Sequence, residues 1–328
     1  MSENDRYESY EPVPAGYDPL NAHQRELDLY GIPPRPDSST HRRLYDFWVK
    51  LVSHPFFPAC AELARFSGER ARTQPPHGLE SSLNWSGAVI YPPRPKRMTL
   101  AVAGWIAPKV SHPYPAPHGA TDAPKTLVWV GLDGHKGRLP KISLPQIGIF
   151  HTPEPRREHP HFAWLLWWHH SDKPQSILRI TNLEITPGDE IMAGLYVMIS
   201  GDVSFFIKNQ STGQFRTALK RQPDGDIEPL GSSAEWVVER PTELKTGNLY
   251  SLADYGCVDF NYCMALAADK PLAPGRLMTL ADNGRMIKMR EAFADPYRTV
   301  YVSRANRRPD TDDSIGVTCK FYAPAQSS

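Results

Sequence analysis

The sequence predicts an all-β protein, an antiparallel sandwich or barrel, and three observations carry that prediction. From Leu83 onward, short runs rich in β-branched and aromatic residues are separated by Pro187-Gly188-Asp189, Ser200-Gly201-Asp202, Ser211-Thr212-Gly213, Pro223-Asp224-Gly225 and Asp282-Asn283-Gly284, each a turn signal. The 33 prolines among 328 residues are about twice ordinary usage and weigh against a helical architecture, because proline is confined to loops, edges and turns. No segment recurs at a fixed period, which sets aside propellers and solenoids.

Taken in order, residues 1–80 read as an N-terminal extension. The first forty residues are polar and proline-punctuated, as in Pro33-Pro34-Arg35-Pro36, and predict a flexible arm. Between His41 and Ser53, residues Leu44, Phe47, Trp48, Leu51 and Val52 recur at helical spacing, with serine or threonine just upstream to cap an amphipathic helix. That helix is expected to pack on the main domain, and a prosegment role is the other option for the extension. Residues 81–328 form the sandwich, with strands expected at 88–91, 98–106, 126–132, 147–150, 162–168, 176–180, 190–199, 203–209, 234–239, 256–264, 278–280, 299–303 and 316–322.

Composition narrows the classes of function. Lysine plus arginine and aspartate plus glutamate nearly cancel at 37 against 36, so no global field recruits nucleic acid or an anionic membrane. No apolar run of membrane-spanning length occurs. The start, Met1-Ser2-Glu3-Asn4-Asp5-Arg6, lacks the basic and apolar regions of a signal peptide, so a cytoplasmic monomer is expected, with nonclassical export as the other route. Cys60, Cys257, Cys263 and Cys319 are too sparse for a disulfide scaffold and have no metal-ligand spacing. Cys257 and Cys263 share strand parity and are expected to point the same way, too far apart to bond. His151, His159, His161, His169 and His170 lack a zinc-helix order and read as a surface loop. Neither a metal nor a cofactor is called for.

The stretch Ser232-Ser233-Ala234-Glu235-Trp236-Val237-Val238-Glu239 is unusual for a strand with one apolar face. Alternation sends Ala234, Trp236 and Val238 to one side and Glu235, Val237 and Glu239 to the other. About ninety residues upstream, Thr126-Leu127-Val128-Trp129-Val130-Gly131-Leu132-Asp133-Gly134 is a strand ending in a glycine turn. Leu144-Pro145-Gln146-Ile147-Gly148 then sets one uncharged amide among apolar neighbours.

Together with Asn84-Trp85-Ser86-Gly87-Ala88, Ala163-Trp164-Leu165-Leu166-Trp167-Trp168, Pro187-Gly188-Asp189-Glu190-Ile191 and Asp254-Tyr255-Gly256-Cys257-Val258-Asp259-Phe260, these stretches follow an order and spacing that resembles the eqolisins, the glutamic peptidases of fungi and some bacteria. The resemblance runs from about residue 84 to about 322. It implies a concanavalin A-like sandwich of two antiparallel sheets whose concave face holds a catalytic glutamine and glutamate, here Gln146 and Glu235. It also implies an endopeptidase acting on protein or peptide substrates at acidic pH, without metal or cofactor. Glu235 would take a proton from the attacking water and return it to the leaving amine, and Gln146 would donate to the oxyanion. Trp129, Trp164 and Trp168 would share the concave face, with Trp85 near its mouth, and Asp133 would orient the glutamine.

Two departures stand out. Leu166 replaces a family glutamate and Trp168 a family tyrosine, and His169 and His170 follow where the family has proline and an acidic residue. The alternative reading is a noncatalytic or carbohydrate-binding sandwich that uses the tryptophan face, since this fold class hosts lectins and glycosidases too. Against a glycosidase, Glu239 lies roughly 13 Å along the strand from Glu235, too far for the usual carboxylate pair. Glu239 therefore reads as a rim or structural residue.

Overall fold

A computed structural model describes residues 7–66, 69–70, 81–113, 124–135, 143–154, 158–169, 176–222, 229–243, 246–291, 300–308 and 316–322. The expected Pro223-Asp224-Gly225 turn, His170 and the side chain of His169 lie outside the described part. In chain order the strands are β1 (Tyr7–Glu8), β2 (Phe57–Cys60), β3 (Leu63–Arg65), β4 (Glu69–Arg70), β5 (Ser81–Ser82), β6 (Trp85–Ile90), β7 (Arg97–Ile106), β8 (Thr126–Leu132), β9 (Ser143–His151), β10 (His161–His169), β11 (Leu178–Ile180), β12 (Glu190–Val197), β13 (Val203–Asn209), β14 (Gln214–Lys220), β15 (Ala234–Glu239), β16 (Thr242–Glu243), β17 (Cys257–Ala268), β18 (Arg276–Thr279), β19 (Arg285–Arg290), β20 (Tyr301–Arg307) and β21 (Val317–Phe321). The helices are α1 (Gln24–Leu29), α2 (Arg42–Val52) and α3 (Leu280–Asn283).

Two sheets result, as expected for a sandwich. One runs β18-β17-β7-β12-β13-β14, with β1 and β2 sharing the outer edge of β14. The other runs β3-β11-β10-β9-β8-β15-β6-β19. They are joined at one side, where β20 and β21 link β19 to the first half of β17. Between them, Ala88, Val130, Ile147, Leu165 and Trp236 of one sheet meet Ala101, Ala103, Leu195, Phe205 and Ala265 of the other. The indole of Trp236 donates to Val102 O at 2.9 Å across this gap, so the strand that carries Glu235 is tied to the opposite sheet.

Every expected strand has a counterpart; the short strands β1 to β5 and β16 were not anticipated, nor were β14 and β19, whose charged residues break the apolar alternation. On β14 the buried charge is tolerated because it is paired. Arg216 on β14 gives its guanidinium to the carbonyls of Asn182, Phe57 and Phe215, and buried Lys208 on β13 donates to Ser53 O at 2.7 Å. A buried charge is stable only with such partners.

The extension departs from expectation in its first forty residues. Rather than a flexible arm, they include α1 and bury Leu27 and Ile32 completely. The helix expected near 41–53 is α2, and all five of its predicted apolar residues are buried. Its N-cap is His41 with no side-chain cap, because Ser39 and Thr40 give their hydroxyls to Asp37 instead. Leu27, Ile32, Phe47, Trp48 and Leu51 pack on Val102, Met192, Phe206, Phe215 and Met264, the outer face of the β7–β12–β13–β14 sheet. The chain then follows the edges, β2 along β14 and β3 along β11. The cysteine expectation also changes. A register shift between Asn261 and Met264, with Tyr262 at φ 55°, breaks the parity of β17, so Cys257 is exposed while Cys263 is buried.

Candidate active site

The second sheet presents one face to the core and the other away from it. Opposed residues of antiparallel strands lie on one side, so the registers can be read as rows. One row runs Arg285–Val89–Glu235–Gly131–Gln146–Leu166. Glu235 and Gln146 therefore share a face and stand two strands apart, about 10 Å between backbones, with only Gly131 between them. A Cβ at Gly131 would sit 2.9 Å from Pro145 O, 3.0 Å from the Trp129 ring and 3.3 Å from Gln146 Cβ. Glycine in a strand interior marks such a close approach, and here no side chain of the intervening strand stands between the carboxylate and the amide in that row.

The next row runs Val237–Trp129–Gly148–Trp164 and the one beyond it Glu239–Leu127–Phe150–Phe162. Trp85, Trp129, Trp164, Leu166 and Trp168 form one apolar cluster on this face, separate from the core between the sheets. The structure thus brings all four expected tryptophans together. Trp85 is fully buried rather than at a mouth, and stands edge-on to Trp129 with centroids 5.1 Å apart. The tryptophans are packed into the face, which is not the open platform a carbohydrate reading requires.

Glu235 and Gln146 are both 0% exposed. Among the described residues no atom makes a hydrogen bond with Glu235 Oε1 or Oε2, or with Gln146 Oε1 or Nε2. Burial pushes the Glu235 carboxyl well above 4.5; the nearby Ser233 hydroxyl and His135 backbone N–H work against that shift and the Asp133 charge adds to it. Four unpaired polar atoms in a buried site are costly unless the site serves a ligand or reacting group.

Asp133 does not touch Gln146. At φ 69° it closes the end of β8, and its carboxylate accepts from Ser232 N at 2.6 Å, Ser232 Oγ at 2.9 Å and Gly231 N at 3.1 Å. It therefore fixes the loop that leads into Glu235, not the amide. Burial raises it to about 6 despite these bonds. Glu239 is not on a rim either. It is 1% exposed, accepts from Trp129 Nε1 at 2.8 Å and Asn84 Nδ2 at 3.3 Å, and burial lifts it to about 8.

Sequence reasoning missed Tyr91 and His135. The Tyr91 hydroxyl lies 2.5 Å from His135 Nδ1 and feels the Glu235 charge, and burial pushes it up to about 12. Alternation along β6 would have put Tyr91 on the Glu235 face, but nothing in the sequence marks His135. Three of the presumed loop histidines, His151, His161 and His169, are strand residues, and buried His151 on β9 faces His161 on β10 across 2.9 Å between their Nδ1 atoms. No described helix is long and apolar enough to cross a membrane.

Among solved structures the fold is similar to scytalido-glutamic peptidase bound to a transition state analog inhibitor, at 16% identity over 74% of this chain and 99% of that one, with a TM-score of 0.52. Aspergilloglutamic peptidase from Aspergillus niger aligns at 18% identity over 61% of this chain and 99% of that one, with a TM-score of 0.44. No curated protein sequence matches the chain. The model of the Peptidase A4 family matches residues 83–300, well over half of the chain and the whole of the row that carries Glu235 and Gln146, and the protein belongs to that family of glutamic peptidases.

Proposed function

We propose that the protein is an endopeptidase whose dyad is Glu235 and Gln146. One observation supports this above the rest: the two side chains are buried on one face, a single glycine apart, with all four polar atoms unpartnered among the described residues. A water held between Glu235 and Gln146 attacks the scissile carbonyl and gives a proton to ionised Glu235. The carbonyl electrons move onto oxygen, which Gln146 Nε2–H stabilises as the oxyanion. Collapse breaks the C–N bond, and Glu235 returns the proton to the departing amine. Being neutral, Gln146 performs this without titrating.

The expected acidic preference takes a narrower form. Glu235 must be ionised to act as base, and burial with Asp133 nearby lifts it, so activity falls on the acid side above 4.5 rather than at the ordinary value. On the alkaline side the groove weakens as Asp133, at about 6, and Glu239, at about 8, lose their protons.

Incubating the protein with an unfolded protein substrate between pH 3 and 8 tests the dyad. Glu235→Gln is expected to abolish cleavage, and Gln146→Ala to lower kcat by about 10²–10³, as for loss of one oxyanion donor. Wild-type rates in both variants would overturn the assignment.

A further inference from the structure

The dyad row is asymmetric. On the Gln146 side it ends in Leu166, and Trp168 and Leu144 are paired in the adjoining row, so the end of the dyad row itself is apolar; the cation on that side, Arg179, stands one row away, opposite Trp164. On the Glu235 side it ends in Arg285, which is exposed while the other members of the row are buried. Arg285 therefore stands where the row opens to solvent. Its guanidinium lies over the Tyr91 ring, 5.8 Å from the centroid. Tyr91 is the residue whose hydroxyl meets His135 and feels both the Glu235 and the Arg285 charge.

This placement is built rather than incidental. Asn283 at the end of α3 accepts from Tyr91 N at 3.0 Å and donates to Tyr91 O at 2.8 Å, which pins the start of β19 to the end of β6. Arg276, the nearby arginine on β18, is already neutralised by Asp282 at 2.5 Å. Arg285 has no carboxylate partner among the described residues. A stacked, charged guanidinium without a counter-ion is a preformed carboxylate receptor.

We propose that Arg285 is a specificity-determining residue that selects peptides carrying an acidic side chain on the Glu235 side of the scissile bond. The proposal rests on the reading of this face as the substrate groove. Two strand spacings separate Arg285 from Glu235, about 10 Å, so an extended peptide running along the row places its acidic side chain about three residues from the bond that is cut.

The test uses C-terminally amidated peptides of one sequence carrying Glu, Gln or Lys at each position up to four from the scissile bond, and a second set ending in a free carboxylate at the preferred position. Cleavage is measured with wild type, and binding is measured with Glu235→Gln by quenching of the groove tryptophans. The Glu peptide is expected to exceed the Lys peptide by about three- to tenfold at low salt, the range of a partly screened ion pair. The advantage should shrink with added salt, and Arg285→Glu should reverse the order. Equal handling of Glu and Lys, or an order that Arg285→Glu leaves unchanged, would overturn the proposal. A preference confined to the free-carboxylate set would also overturn it, since the receptor would then read chain ends. Cleavage without charge order leaves the dyad standing and removes Arg285. Charge-ordered binding with no cleavage by wild type does the reverse.

Discussion

Glu239→Gln is expected to make the protein more stable at pH 8 and to flatten its stability against pH. The wild-type carboxyl is buried, and its value rises from 4.5 to about 8. Each tenfold change in proton affinity corresponds to about 1.4 kcal/mol, so ionising Glu239 inside the fold costs roughly 4–5 kcal/mol relative to the unfolded chain. The folded value is the higher one, so this stabilisation is complete below 4.5 and is lost as pH rises through about 8. Asp133, raised from 3.8 to about 6, acts with the same sign at lower pH. His151 acts oppositely: burial holds it well below 6.5, so its contribution is lost as pH falls. Comparing wild type with Glu239→Gln at one pH cancels the last two effects. Urea unfolding followed by circular dichroism at pH 4.5, 6 and 8 is the assay. At pH 4.5 the two proteins should agree within about 1 kcal/mol, the worth of one rearranged hydrogen bond. At pH 8 the variant should be ahead by several kcal/mol. Parallel curves at all three pH values would show that Glu239 ionises freely and that the burial argument is wrong.

Two further outcomes follow. Gly131→Ala puts a methyl 2.9–3.3 Å from Pro145 O, the Trp129 ring and Gln146 Cβ, so a loss of about 1–3 kcal/mol in stability should accompany a drop in kcat of at least about tenfold; a folded variant with unchanged kcat would show that the site does not require glycine there. Deleting residues 1–56 uncovers Val102, Met192, Phe206, Phe215 and Met264 on the outer face of the first sheet, and the truncated protein should aggregate or unfold. A soluble fragment with raised peptidase activity would instead establish the extension as a prosegment.

Much of this was legible in the sequence because strands write their facing into a period of two. The alternation over 234–239 separated Trp236 from Glu235 correctly, and both ended where that pattern put them, one in the core and one on the opposite face. Register was the part that alternation could not supply. That Gly131, rather than a bulky residue, falls between Glu235 and Gln146 depends on pairing across three strands, and pairing is set by nonlocal contacts. The same limit applies to Asp133, which the resemblance made a partner for Gln146 but which, at positive φ, gives its carboxylate to Ser232. Composition misled in the first forty residues, where a polar average hid Leu27 and Ile32, two side chains sufficient to seat a short helix on a sheet.

Two carboxyls near this face, Asp133 and Glu235, are coupled. Asp133 lies lower than Glu239, with three protein donors facing its carboxylate, and it ionises first of the two. Its charge then opposes ionisation of Glu235, as the like-charge contribution to Glu235 shows. Groups coupled this way release protons in steps that belong to the set. Where the family carries another glutamate, Leu166 stands beside Gln146 in the register, so a further like charge is missing from that side of the row. Burial and the Asp133 charge both raise the Glu235 carboxyl. Leu166 thus leaves the end of the dyad row apolar beside Gln146, and under the proposal above charge recognition falls to the other end, where Arg285 stands.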